Sequence, residues 1–154
     1  MMTITIVTQS IIEDMKIKAH LEVQKIQNLK ERDDARIDDE DMDEVNRDIV
    51  SASASLAKIL QRFLSADSEN ISGGALSLPS TIEYELEFTS RRESGKEQQL
   101  ADIFHAYLVD NALSRFFRSV SQFELASSHE ALAREEEKNI TEIINHKSAP
   151  IWQD

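Results

Sequence analysis

The sequence predicts a mainly α fold, a four-helix bundle-like arrangement with a short β-strand or hairpin between helices two and three. Three observations lead there. Gly 3 and Pro 2 in 154 residues are too few for the tight turns of a β-sandwich. Four segments carry apolar residues at steps of three or four, and a single segment alternates with period two. A chain of this length fits one core. Residues 1-150 read as a single helical domain whose first nine residues (1-9) form an extended arm, and residues 151-154 read as a carboxyl-terminal tail.

Thr3-Ile4-Thr5-Ile6-Val7 is β-prone, and Ser10-Ile11-Ile12-Glu13 has the form of a capping box opening helix one. Ile12, Met15, Ala19, Val23 and Ile26 then mark its apolar stripe. From Glu31 to Asp48 ten acidic residues stand against three arginines, a net of −7 within a whole-chain charge of −12. Asp38, Asp39 and Asp41 suit a helix start, where carboxylates meet free amides and the positive end of the dipole. Helix two follows, with Met42, Val45, Ile49, Ala52, Leu56, Ile59 and Phe63 in register.

Gly73-Gly74 and Pro79 mark a loop from Ala66 to Ser80. Ile82, Tyr84, Leu86 and Phe88 then alternate with three glutamates, which describes a strand with one buried face. That face needs a sheet, because a lone strand or hairpin is marginal in water. Thr3 to Val7 and Ala75 to Leu78 are the companions within the chain, and a neighbouring subunit is the other source. Leu100 to Val120 is apolar on more than one face and should lie centrally in the core or at an interface. Ser121-Gln122-Phe123-Glu124 is a second capping box, and Leu125, His129, Leu132, Ile140, Ile143 and Ile144 trace the last helix up to Pro150. Ile151 and Trp152 lie beyond it. They either anchor on a neighbour or fold back on their own core, so the candidate interface comprises Ile82, Tyr84, Leu86, Phe88, Ile151 and Trp152.

The sequence offers no catalytic constellation. Cys 0 removes thiolate nucleophiles, disulfides and the usual structural zinc sites. Asp39-x-Asp41-x-Asp43 has the opening spacing of a calcium loop, but Glu44 stands where the bend needs glycine and Val50 where the last carboxylate belongs, so a capping role is expected. His20, His105, His129 and His146 have no metal-ligand spacing and read as surface or core-edge residues. Ser51-Ala52-Ser53-Ala54-Ser55 lacks a nucleophile elbow and reads as a close-packing helix face. Gly73-Gly74 lacks the Lys and Ser or Thr of a phosphate loop. The expectation is therefore no enzyme, no cofactor and no metal. An enzyme using carboxylates such as Asp102 and Asp110 in a cleft between helices is the minor alternative. The net charge opposes nonspecific nucleic-acid adhesion, and no apolar run reaches the roughly 20 residues of a membrane span. Nor does the amino terminus resemble a signal peptide, so synthesis in a cytoplasm is expected.

Three stretches resemble the head-to-tail connector proteins of tailed bacteriophages, including Bacteroides-phage-like members. Ile37-Asp38-Asp39-Glu40-Asp41-Met42-Asp43-Glu44-Val45 running into Ile49-Val50-Ser51-Ala52 is similar to the acidic opening and small-residue centre of that family's second helix. Tyr84-Glu85-Leu86-Glu87-Phe88, followed by His105-Ala106-Tyr107-Leu108-Val109-Asp110-Asn111-Ala112-Leu113, is similar to its strand and buried helix. Glu130-Ala131-Leu132-Ala133 through Ile140, Ile143 and Ile144 to Lys147-Ser148-Ala149-Pro150 is the third stretch. Phe116-Phe117 departs from the pattern, where a tryptophan is expected. The resemblance implies a connector domain in the virion neck, a homo-oligomeric ring, commonly a dodecamer. Its partners would be the phage portal and tail or neck proteins, with DNA passing nonspecifically through the centre and no membrane involved. An acidic lining suits such a passage, because it repels phosphate. The alternative is a small acidic helical regulatory or chaperone-like binding protein that stays monomeric or dimeric.

Overall fold

In the computed structural model, residues 2–65, 78–87 and 96–145 are described. The chain opens with β1 (Met2–Val7), which pairs antiparallel with β2 (Thr81–Leu86), Ile4 opposite Tyr84 and Ile6 opposite Ile82. The expected arm is thus a strand laid into the molecule, and residues 8 and 9 already belong to the first helix. Its side chains alternate, Met2, Ile4 and Ile6 inward and Thr3, Thr5 and Val7 outward, as the period of two requires. Ile82, Tyr84 and Leu86 share the inward face, at most 2% exposed. The strand is therefore paired and covered within its own chain, against the chain's own helices.

Helix α1 (Thr8–Val23) starts two residues before the expected capping box and has no side-chain cap. The turn into it is held by the sheet, since the Thr8 amide donates to the Ser80 carbonyl at 3.0 Å and the Thr8 hydroxyl donates to Pro79 O at 2.7 Å. A short helix absent from the sequence reading, α2 (Leu29–Asp34), follows. Asn28 caps it by accepting from the amides of Lys30 and Glu31, and the Arg32 guanidinium donates back to the Ile26 carbonyl. A 3₁₀ turn (Asp39–Asp41) leads into α3 (Met42–Ile59), with the Asp38 amide donating to the Asp41 carboxylate at 2.8 Å. The expected capping role of these aspartates is realised there.

Helix α4 (Glu97–Ser119) runs through the middle, packed on α1, α3, β1 and the helix that follows it, which explains why it is apolar on several faces. Phe104, Phe116 and Phe117 are fully enclosed on it. Its junction with α5 (Phe123–Asn145) departs from the second expected capping box. Ser121 takes a positive φ of 62°, and the Gln122 amide reaches back to Phe117 O (2.8 Å) while the Ser121 amide reaches Arg118 O (3.2 Å). That pair of bonds is a Schellman ending for α4, with serine in the place glycine usually takes. The fold is mainly α, as the sequence predicts; the described residues form four long helices, one short helix and a two-stranded sheet.

Tyr84 shows how the sheet meets the helices. Its ring stands edge-on to Phe104 (5.6 Å, 80°), and its hydroxyl meets the Ser53 hydroxyl at 2.8 Å and donates to the Ser53 carbonyl at 3.0 Å. The small residues Ala52 and Ser53, both buried, let the strand approach α3 this closely.

Candidate functional site

Of the six candidate interface residues, Ile82, Tyr84 and Leu86 lie in the chain's own core, so their side chains are not an open surface. Phe88, Ile151 and Trp152 lie outside the described residues, as does His146.

The structure brings together a polar cluster that the sequence reading did not assemble. Asp110 on α4, 1% exposed, accepts from His129 Nδ1 on α5 at 2.9 Å and from Lys18 Nζ on α1 at 3.3 Å. Glu136, about two helical turns beyond His129, reaches the same carboxylate. Burial would raise Asp110, yet the hydrogen bonds from His129 and Glu136 and the Lys18 charge outweigh it and hold its carboxyl below the ordinary value. Glu136 responds oppositely. Burial, then the hydrogen bond and negative charge of Asp110, push it up to about 9, so the two acids hold one proton between them at neutral pH. His129 is a buried residue at 4% exposure, against the surface or core-edge position expected for it, because Phe117 stacks on its ring at 5.5 Å.

An aspartate–imidazole pair can orient a histidine for proton transfer. Here His129 Nε2 is itself enclosed without a hydrogen-bond partner, and the nearest carboxylate, Glu22 on α1, stands 4.0 Å away. The cluster thus clasps α1 to the α4–α5 hairpin. Asp102 is not part of it. It is exposed, accepts from Gln98 and lies two turns from Asp110, about 12 Å along the helix. The two carboxylates do not share a cleft.

A second buried acid is Asp48 on α3, 6% exposed with Oδ2 unpartnered. Burial first and Glu44 second push it up to about 7, against the pull of Arg115 on α4. Arg115 itself donates to Asn111 on its own helix and to Ser55 on α3, and Arg118 pairs with Glu130 on α5 at 2.8 Å. His105 pairs with Asp14, and His20 is exposed beside Gln24. Among the described residues no three His, Asp or Glu side chains are arranged to hold a metal ion.

The acidic run forms an outward surface. Asp33, Asp34, Asp38, Asp39 and Glu40 are exposed and, among the described residues, make no ion pair. Asp33, Asp34, Asp38, Glu40 and Asp41 border, with Ser119 to Ser121 at the α4–α5 turn, a hollow of about 490 Å³. No helix among the described residues is long and apolar enough to cross a membrane. No family model, no curated protein and no solved structure matches the chain.

Proposed function

We propose that this chain is a structural protein of a tailed-bacteriophage virion, a head-to-tail adaptor subunit that forms a ring in the neck, docks to the portal and joins it to a tail component. It acts by contact and carries out no chemistry. The observation that carries the reading is the run from Glu31 to Asp43, in which Asp33, Asp34, Asp38, Asp39 and Glu40 stand exposed without ion pairs ahead of α3. Turned toward the axis of a ring, that surface repels DNA phosphates and lets a duplex slide without adhering. The sequence resemblance to connector proteins points the same way.

One observation favours a second reading, a small acidic regulatory or chaperone-like binding protein. The apolar face of β2 is covered within the chain, which removes one physical reason for assembly. Light-scattering mass and negative-stain images, taken with and without a portal, separate the two. Rings with a central opening that seat on the portal are expected of the adaptor. A monomer or dimer that ignores the portal overturns that reading.

A further inference from the structure

We propose that the open edge of β1 is a docking site for an extended, basic segment of a partner protein, which adds to the sheet as a third strand. The inference goes beyond the adaptor reading and holds whether or not the chain forms a ring.

The register fixes which backbone groups are available. The Thr8 amide bonds the Ser80 carbonyl, so Thr8 and Ser80 form a hydrogen-bonded pair, and in an antiparallel ladder such pairs recur every second residue. Met2, Ile4 and Ile6 therefore spend their amides and carbonyls on β2, while those of Thr3 and Thr5 point the other way. The same alternation holds on β2, where Glu85 O and Glu87 N face outward and are taken by Ser65 and Phe63. The outer edge of β2 is thus covered at that end. Among the described residues nothing bonds the outward groups of Thr3 and Thr5.

Exposed edges in natural proteins are blunted by lysine, proline, a bulge or a covering element. Met2-Thr3-Ile4-Thr5-Ile6-Val7 has neither charge nor proline, its register runs without a bulge, and its edge opens onto a groove. The groove holds about 410 Å³, and Thr5 and Val7, Glu13 and Asp14 of α1, and Asp102 and His105 of α4 line it. Three carboxylates against one imidazole give it an acidic wall.

Charge selects the occupant. A second copy pairing β1 with β1 would bring Glu13, Asp14 and Asp102 toward their own counterparts, on chains of net charge −12 each. An extended segment with lysine or arginine at alternate positions meets the open amides and carbonyls with its backbone and the carboxylates with its side chains.

The probe is a fluorescein-labelled eight-residue peptide of alternating Lys and Val, followed by anisotropy against the full chain. Saturable binding is expected, with no binding by a Glu and Val peptide or by a Lys and Val peptide N-methylated at alternate residues. Thr5→Pro removes an amide that β2 does not use, and it should weaken binding at least tenfold with the helical signal unchanged. Glu13→Gln with Asp102→Asn should weaken it similarly. Should Thr5→Pro fail to fold, the N-methylated peptide on the unaltered protein decides. Absence of saturable binding overturns the proposal, as does equal binding of the N-methylated peptide, which would reflect charge attraction alone. A dimer that Thr5→Pro dissociates, with no peptide bound, assigns the edge to a second copy and also overturns it.

Discussion

Single residues carry sharp consequences where burial and charge collide. Asp48 has a folded pKa of about 7, above the ordinary 3.8, so the folded state prefers its protonated form. The stability this carboxyl contributes is complete below the ordinary value and is lost as pH rises toward 7. Asp48→Asn should therefore match the parent near pH 4 and exceed it at pH 8 by on the order of 2 kcal/mol, read from denaturant midpoints at the two pH values. Asp110 and Glu136 should behave unequally. Glu136→Gln keeps a neutral donor toward Asp110 and should cost less than about 1 kcal/mol at pH 7. Asp110→Ala leaves His129 and Lys18 without their common partner and should cost about 3 kcal/mol in the same denaturation assay. Ser121, held at a φ of 62°, should gain on the order of 0.5 to 1 kcal/mol on conversion to glycine, visible as a higher melting temperature.

At the scale of elements, β2 depends on the fit between its inward face and the helices. Leu86 is fully enclosed, so Leu86→Asp places a charge without a partner in the core and should abolish cooperative unfolding by circular dichroism. A stable, fully folded Leu86→Asp protein would contradict the buried placement of the strand. The periodic segments were the legible elements. α3, α4, α5 and β2 each carry enough inward apolar residues for the pattern alone to reveal them. α2 was hidden because none of its six residues is buried, so it has no stripe to read; its signal was Asn28 three positions before Glu31. Both serine boxes misled for a related reason. At Thr8 the sheet already organises the chain entry, and at Ser121 the preceding helix needs a left-handed ending, so tertiary geometry overrode the local capping preference.

For the whole molecule, a charge of −12 implies self-repulsion that salt should screen. Raising sodium chloride from about 20 mM, where the Debye length is near 20 Å, to about 0.5 M should raise the melting temperature by a few degrees. Replacing Asp33, Asp34, Asp38 and Asp39 with asparagine should remove much of that gain, because the unpaired carboxylates of this surface supply the local repulsion. A melting temperature indifferent to salt in both proteins would show that the acids are too far apart to matter.

The sequence by itself determined the helical class, the places of the long helices along the chain, the alternating strand and the acidic run. These follow from periodicity and composition, which are local properties. Only the tertiary structure decided that Met2–Val7 is the partner of Thr81–Leu86, since the register joins residues some 80 positions apart and nothing local specifies it. It also decided that Asp110, His129, Glu136 and Lys18 form one cluster. The sequence offered Asp110 only as a companion of Asp102 and His129 as a member of an apolar stripe. Their meeting depends on the return of α5 along α4 and on α1 packing against α4, which no local pattern specifies.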